Sequence, residues 1–357
     1  MRAVTTVYAA AIGRVDIARA IVFGFAVAFA GVVGAIAISK PASMDFIAHY
    51  AASSLVLQGR GPDILDPSAG LAAERAAAPE REQLLPLLQI PAMALLRAPI
   101  ALLPFGPAFV LMAAIDAVLV VASVVLLAPR DRSVAAMLLV APPAALAVAH
   151  GQTSPLALFL VALAIRAGPR VAGSALGLTL LRVQSAPLLL VAGLADPARR
   201  LWTALGAAAV VAASALVVGM DGLVRYAATL VAGTDYLRTG EYGMRSAVGW
   251  SGLGFAVGVP PAAVAASVAS LLLGAVIVWR SDQARRPAIA AAWSLLAAPN
   301  LYVHDALLAY PVLALIASRR TGWDVASTLA WLGHLLVAPV GVIWSAALAV
   351  AALRAKR

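Results

Sequence analysis

Four polar stretches of this chain carry side chains of the types that move protons and bind anions. In ISKPASMDFIAHYAASSLVLQGRGPDILDP, Asp45 and His49 stand four residues apart, so a helix would put an acid and an imidazole on one face. Ser43 fits an N-cap and Gly59 and Gly61 a stop, which predicts a helix of about four turns. AHGQTSP supplies His150, Gln152 and Thr153, and LLRVQSAP supplies Arg182 and Gln184. PNLYVHDALLAYP supplies Asn300, Tyr302, His304 and Asp305. The segment from Asp221 to Trp250 adds Glu241, Tyr242 and Arg245.

Each of these has a plainer use. Asp45 in a first helical turn complements the helix dipole, and His304–Asp305 could cap the following helix. His150 and Gln152 could satisfy backbone groups of a tight turn. Arg182, near the end of an apolar run, could snorkel to lipid headgroups. His334, alone in WLGHLLVAP, reads as a hydrogen-bonded packing residue, and Glu74, Glu80 and Glu82 read as the solvated face of a loop helix.

The elements that must position these groups are membrane helices. Hydrophobic residues make up 63% and charged residues 12% of the chain, with a mean hydropathy of +0.96. That lies outside soluble globular composition, and apolar runs of near-span length recur to the end. Strand-like alternation of the barrel type is absent. The net charge of +10 comes as short basic pairs between apolar runs, which marks topology and argues against a nucleic-acid surface. With no cysteine and no metal-ligand spacing among four histidines, neither disulfides nor a metal centre is expected, and no cofactor is implied.

The first span is expected at about Ile17–Ile38, as an uncleaved anchor, with a signal peptide as the alternative. Residues 39–105 then form the longest interruption, and within it Leu84–Leu103, rich in proline, is placed at the interface. Later spans are expected at Gly106–Ala128, Ser133–Ala149, Ser154–Ile165, Val171–Leu181, Ser185–Ala195, Leu201–Gly219, Val257–Trp279, Ala288–Pro299, Ala306–Ala317, Trp323–Ala338 and Val340–Leu353. This arrangement puts 17 of the 26 basic residues on the cytoplasmic side. It gives an all-α polytopic protein of about twelve spans, a single integral-membrane domain over 1–357 with both termini cytoplasmic. Several spans fall short of the ~20 residues of a full crossing, so partial or kinked helices around a polar cavity are expected. All four polar stretches fall on the extracytoplasmic side, and Asp116 is the clear mid-span acid. Polar groups at that depth are costly, which makes a functional cavity the default reading.

In order and spacing, five blocks resemble glycosyltransferase family 87, the integral-membrane mannosyltransferases of the C-type superfold that use polyprenyl-phosphate sugar donors. They are MDFIAHYAASSLVLQGRGPDILDP, IPAMALLRAPIALLPFGPAF, HGQTSPLALFLVALAI, GSALGLTLLRVQSAPLLLVAGL and YVHDALLAYPVLAL. The resemblance puts the family's essential first-loop acid on Asp45 and its late histidine–aspartate pair on His304 and Asp305. Two departures stand out: Arg182–Val183 replaces a Lys-Pro, which keeps the positive charge, and Leu88-Gln89-Ile90-Pro91 replaces a Tyr-Pro-Pro at the acceptor groove.

The resemblance implies a membrane glycosyltransferase at the cell inner membrane with Asp45 as base and His304 assisting or binding phosphate. Arg182 and Arg245 would hold the donor phosphate, while His49, His150, Gln152, Gln184, Tyr302 and Asp305 would contact substrate. Its partners would be a polyprenyl-phosphate sugar, a lipid or glycan acceptor and membrane lipids, with no nucleic acid. No nucleotide-binding glycine fingerprint or P-loop is present. A transporter or lipid flippase is the competing reading, although no internal repeat of the transporter kind is seen; a catalytically silent scaffold is a third.

Overall fold

The computed structural model describes residues 2–239, 247–298, 300–317, 322–337 and 339–354. Among these, the regular structure is helical throughout. Four helices are long and apolar enough to cross a bilayer: the Asp16–Ser39 part of α1 (Arg2–Ser39), α5 (Phe105–Leu127), the Arg200–Ala228 part of α11 (Arg200–Thr239), and Pro261–Arg280 of α13 (Pro260–Arg280). Their outer faces leave Ile17, Phe25, Val118, Val125, Leu216, Val224, Leu272 and Trp279 exposed. Apolar surface on that scale calls for a lipid environment, and the chain is a helical membrane protein.

Between the long helices the apolar sequence is cut short, and proline does the cutting. Proline occupies the first turn of α7 (Pro142–His150), α8 (Ser154–Arg166), α9 (Pro169–Leu178), α10 (Ala186–Leu194), α14 (Arg286–Ala297) and α15 (Tyr310–Ile316). A missing N–H is harmless there, whereas the preceding helix cannot continue through the ring. The expected span Ser133–Ala149 is therefore two helices, α6 (Arg132–Val140) and α7, bent by 46°. Counted as one, this pair makes a fifth element of crossing length. The other expected spans coincide with helices of 7 to 16 residues, ending with α16 (Trp323–Leu336) and α17 (Pro339–Arg354). These are too short to cross singly, so among the described residues four or five elements meet the length of a crossing, against the about twelve spans expected.

The centre of the molecule is α14, on which every residue from Pro287 to Ala297 is buried. A helix apolar on all sides belongs inside a packed core, and Tyr310 and Trp331 pack into the same cluster. The interruption at 39–105 holds α2 (Phe46–Leu57), α3 (Pro67–Ala77) and α4 (Ala92–Arg97), joined by an extended strap at 84–90. No helix in 84–103 exceeds six residues, consistent with its not being a span. The short chain element α12 (Trp250–Ala256) precedes α13.

Two local expectations fail in this region. The helix expected from Ser43 starts at Phe46, with Asp45 at its cap position making no cap hydrogen bond. Its end is as expected, with Gly59 in the left-handed region at φ 72°. Glu74 is 1% exposed, not solvated. It accepts hydrogen bonds from the Leu85 N–H at 3.1 Å and from Arg81 at 3.3 Å, and so anchors the strap. His334 is buried and accepts from the Gly341 N–H at 3.2 Å, the packing role expected of it.

Candidate functional site

A cavity of 270 Å³ is lined by Asp45, His49, His150, Gln152, Arg182, Gln184, Tyr302, His304 and Asp305 together with Asn300 and an apolar wall. Every expected site residue among the described residues is in that set; Arg245 lies outside the described residues. The start of α2, the α7–α8 turn, the segment before α10 and the short 3₁₀ helix Val303–Ala309 each contribute one side. The strap adds Leu85, Pro86, Leu88 and Gln89. It is held at its far end by Leu88 O, which accepts from Tyr226 Oη at 3.1 Å and Gln184 Nε2 at 3.4 Å.

The α7–α8 turn depends on one glycine. Gly151 sits at φ 61°, and a Cβ there would stand 2.8 Å from Phe46 Cβ, so only glycine both closes the helix and lets α2 approach. This approach brings Asp45 to the turn. Gln152 Nε2 donates to Asp45 Oδ2, and His150 Nδ1 lies 3.4 Å from the same oxygen. The His150 and His304 rings stack at 6.0 Å between centroids. Burial pushes the Asp45 carboxyl up, but the neighbouring His150 and His304 imidazoles and the Gln152 amide together hold it below its ordinary value. Asp45 is therefore a carboxylate at neutral pH.

Beside it stands a second, deeper pair. Arg182 donates through Nη2 to Asp305 Oδ1 and through Nη1 to Thr153 Oγ1. Asp305 also accepts from Ser154 Oγ and from the Tyr302 N–H at 2.9 Å, and His304 Nε2 lies 3.5 Å from its Oδ2. The capping use of Asp305 and its use as a partner for Arg182 are thus both present. Arg182 is 4% exposed, which excludes snorkelling. Its Nε has no hydrogen-bond partner among the described residues, leaving one N–H unused in the wall of the cavity.

The His304 and His49 imidazoles are neutral donors or acceptors here. Burial lowers His304 despite the opposing fields of Asp305 and Asp45, and burial with the charges of Arg97 and Arg182 lowers His49 further. Four more buried atoms on residues lining the cavity lack hydrogen-bond partners among the described residues: His49 Nδ1, His150 Nδ1, Gln184 Oε1 and Asn300 Oδ1. Unsatisfied acceptors in a cavity wall suit the hydroxyl groups of a ligand. No group of three or more metal-ligating side chains occurs among the described residues.

Thr153 is among the polar residues of AHGQTSP named above, whereas Ser154 is not; their hydroxyls join the turn to the Arg182–Asp305 pair. Its place beside Thr153 in AHGQTSP is the signal that could have found Ser154. No curated protein and no solved structure matches the chain. The family model described as glycosyltransferase family 87 matches residues 91–311, which is more than half of the chain. That match covers His150 to Asp305 but begins after Asp45 and His49, which join the site through the geometry of α2.

Proposed function

The chain belongs to glycosyltransferase family 87, and on that footing we propose that it moves a sugar, mannose by the resemblance, from a polyprenyl phosphate to a hydroxyl of a lipid or glycan acceptor. The reaction takes place at the extracytoplasmic face of the inner membrane, in a chain with both termini cytoplasmic. The observation that carries this reading is the sharing of one cavity by an ionised carboxylate and a buried guanidinium with an unused N–H. A base for the acceptor hydroxyl and a cation for the departing phosphate are what direct displacement at an anomeric carbon requires.

Asp45 accepts the proton of the acceptor hydroxyl as its oxygen bonds to the anomeric carbon. The bond from that carbon to the phosphate oxygen breaks, and its electron pair leaves with the phosphate, steadied by Arg182 through a charge-assisted hydrogen bond. Attack from the opposite side inverts the centre, so a β-linked donor yields an α-linked product. Gln152 and His150 aim the Asp45 oxygen. His304, neutral, contributes a hydrogen bond rather than a charge, and His49, Gln184 and Tyr302 meet hydroxyl groups of the substrates. The apolar wall of Leu85, Pro86, Leu88 and Leu335 accommodates the lipid-linked side of the donor.

Purified full-length protein, incubated with radiolabelled polyprenyl-phosphate mannose and membrane lipid extract, is expected to label a lipid or glycan product, and not to do so from a nucleotide sugar. Absence of transfer from every polyprenyl-linked sugar, with substrate-dependent flux in proteoliposomes, would replace this reading by the transporter.

A further inference from the structure

Arg97 ends α4 in the proline-rich passage, is 5% exposed, and does not line the cavity. Its Nη1 donates to Gly151 O and its Nη2 to Gln152 O, both at 3.0 Å. One planar fork thus holds two successive carbonyls of the α7–α8 turn. That turn carries His150 and Gln152, which meet Asp45, and Thr153, which meets Arg182. The register of both ion pairs therefore depends on where these carbonyls sit.

The cost of this arrangement says it is not incidental packing. A guanidinium buried in apolar surroundings is unfavourable unless offset; its two carbonyl bonds offset it, and the Asp116 carboxyl group, buried within α5, acts on it through space. Neither Asp116 oxygen has a hydrogen-bond partner among the described residues, so its carboxyl group is not consumed by a local contact. Arg182 and His49 are the other titratable groups that feel Arg97.

The geometry points to Arg97 as a positioning residue for the transfer reaction: it clamps the Gly151–Gln152 carbonyls so that the turn presents Gln152 and His150 to Asp45 and Thr153 to Arg182. This inference rests on the transferase reading above. A lysine in its place offers one ammonium, which cannot reproduce a fork across two carbonyls.

The test compares full-length wild type, Arg97→Lys and Asp116→Asn in nanodiscs by amide hydrogen exchange of residues 151–153, thermal melting, and transfer kinetics across pH. For Arg97→Lys we expect exchange of those amides to rise by about tenfold or more and kcat to fall by roughly 10- to 100-fold, the scale of an ångström of misplacement. Donor KM should stay within about threefold, because Arg97 does not touch the cavity. The acid limb of the rate profile should move upward as Asp45 loses the Gln152 contact, His150 and His304 being the titratable groups that face it. Asp116→Asn should loosen the same amides by a smaller factor, and it supplies the readout if Arg97→Lys does not fold. Wild-type exchange at 151–153 in both variants would overturn the clamp. So would a loss of kcat that tracks melting alone with the acid limb unmoved. If the wild type transfers nothing, the transferase reading fails, while the exchange measurement still decides what Arg97 holds.

Discussion

Two carboxylates, each beside a basic side chain, open on the same cavity and are built for opposite ends. Asp45 and His150 have side chains 25% and 22% exposed and stand 3.4 Å apart, a loose contact with room for a third group. Arg182 and Asp305 are 5% and 0% exposed, and Asp305 is further held by Ser154, Tyr302 and His304. A carboxylate that exchanges a proton with a substrate must be reachable, whereas a cation that meets an arriving anion must be fixed beforehand. The difference teaches that Asp305 supports Arg182, and on the proposed reading it leaves Asp45 as the group that reacts.

The strongest way to break that contrast is to remove each carboxylate in turn. Asp305→Asn leaves a buried guanidinium without its partner and should cost about 3–5 kcal/mol of stability. Melting of the purified protein in detergent measures this, and Asp45→Asn should lower it by only a small part of that amount. Equal losses would erase the division between a structural and a reactive acid.

A smaller effect is expected from Arg182→Lys. It keeps the charge but cannot bond Thr153 and Asp305 at once, and loss of one charge-assisted hydrogen bond corresponds to about 1.5–3 kcal/mol. Donor KM and kcat/KM should worsen by roughly 10- to 100-fold in a titration of donor concentration. An unchanged KM would move the phosphate away from Arg182.

The site was legible because polar residues stand out in so apolar a chain. Asp45, His150, Arg182 and His304 each sit at the edge of an apolar run, and the structure gathers them at one cavity. What stayed hidden were partnerships between distant residues. Arg97 bonds carbonyls 54 and 55 positions away, and Glu74 bonds a backbone N–H 11 residues on. Nothing in local composition marks a backbone acceptor, so the proline-rich run does not single out Arg97. Helix lengths were misjudged for a related reason. Hydropathy reports where chain is apolar, whereas the 46° break at Pro142–Pro143 depends on backbone stereochemistry.

The smallest effect sharpens the Asp45 side. Gln152→Met removes its amide donor and should raise the Asp45 pKa, with less than about a tenfold loss of transfer at neutral pH. Because the folded pKa of Asp45 is lowered, the stability it contributes is fully present above the ordinary value of 3.8 and is lost as pH falls through the folded value. In the wild type the acid limb due to Asp45 therefore lies below 3.8, and in Gln152→Met it moves up. A pH series of transfer rates that is identical for the two proteins would remove Gln152 from the tuning of Asp45.

The central claim is that Asp45 takes the acceptor proton, and Asp45→Asn tests it with little change of shape. Single-turnover transfer from labelled polyprenyl-phosphate mannose, with donor binding measured in parallel, should show a loss on the order of 10²–10⁴-fold while binding is kept. Turnover in the Asn variant equal to wild type would contradict the account.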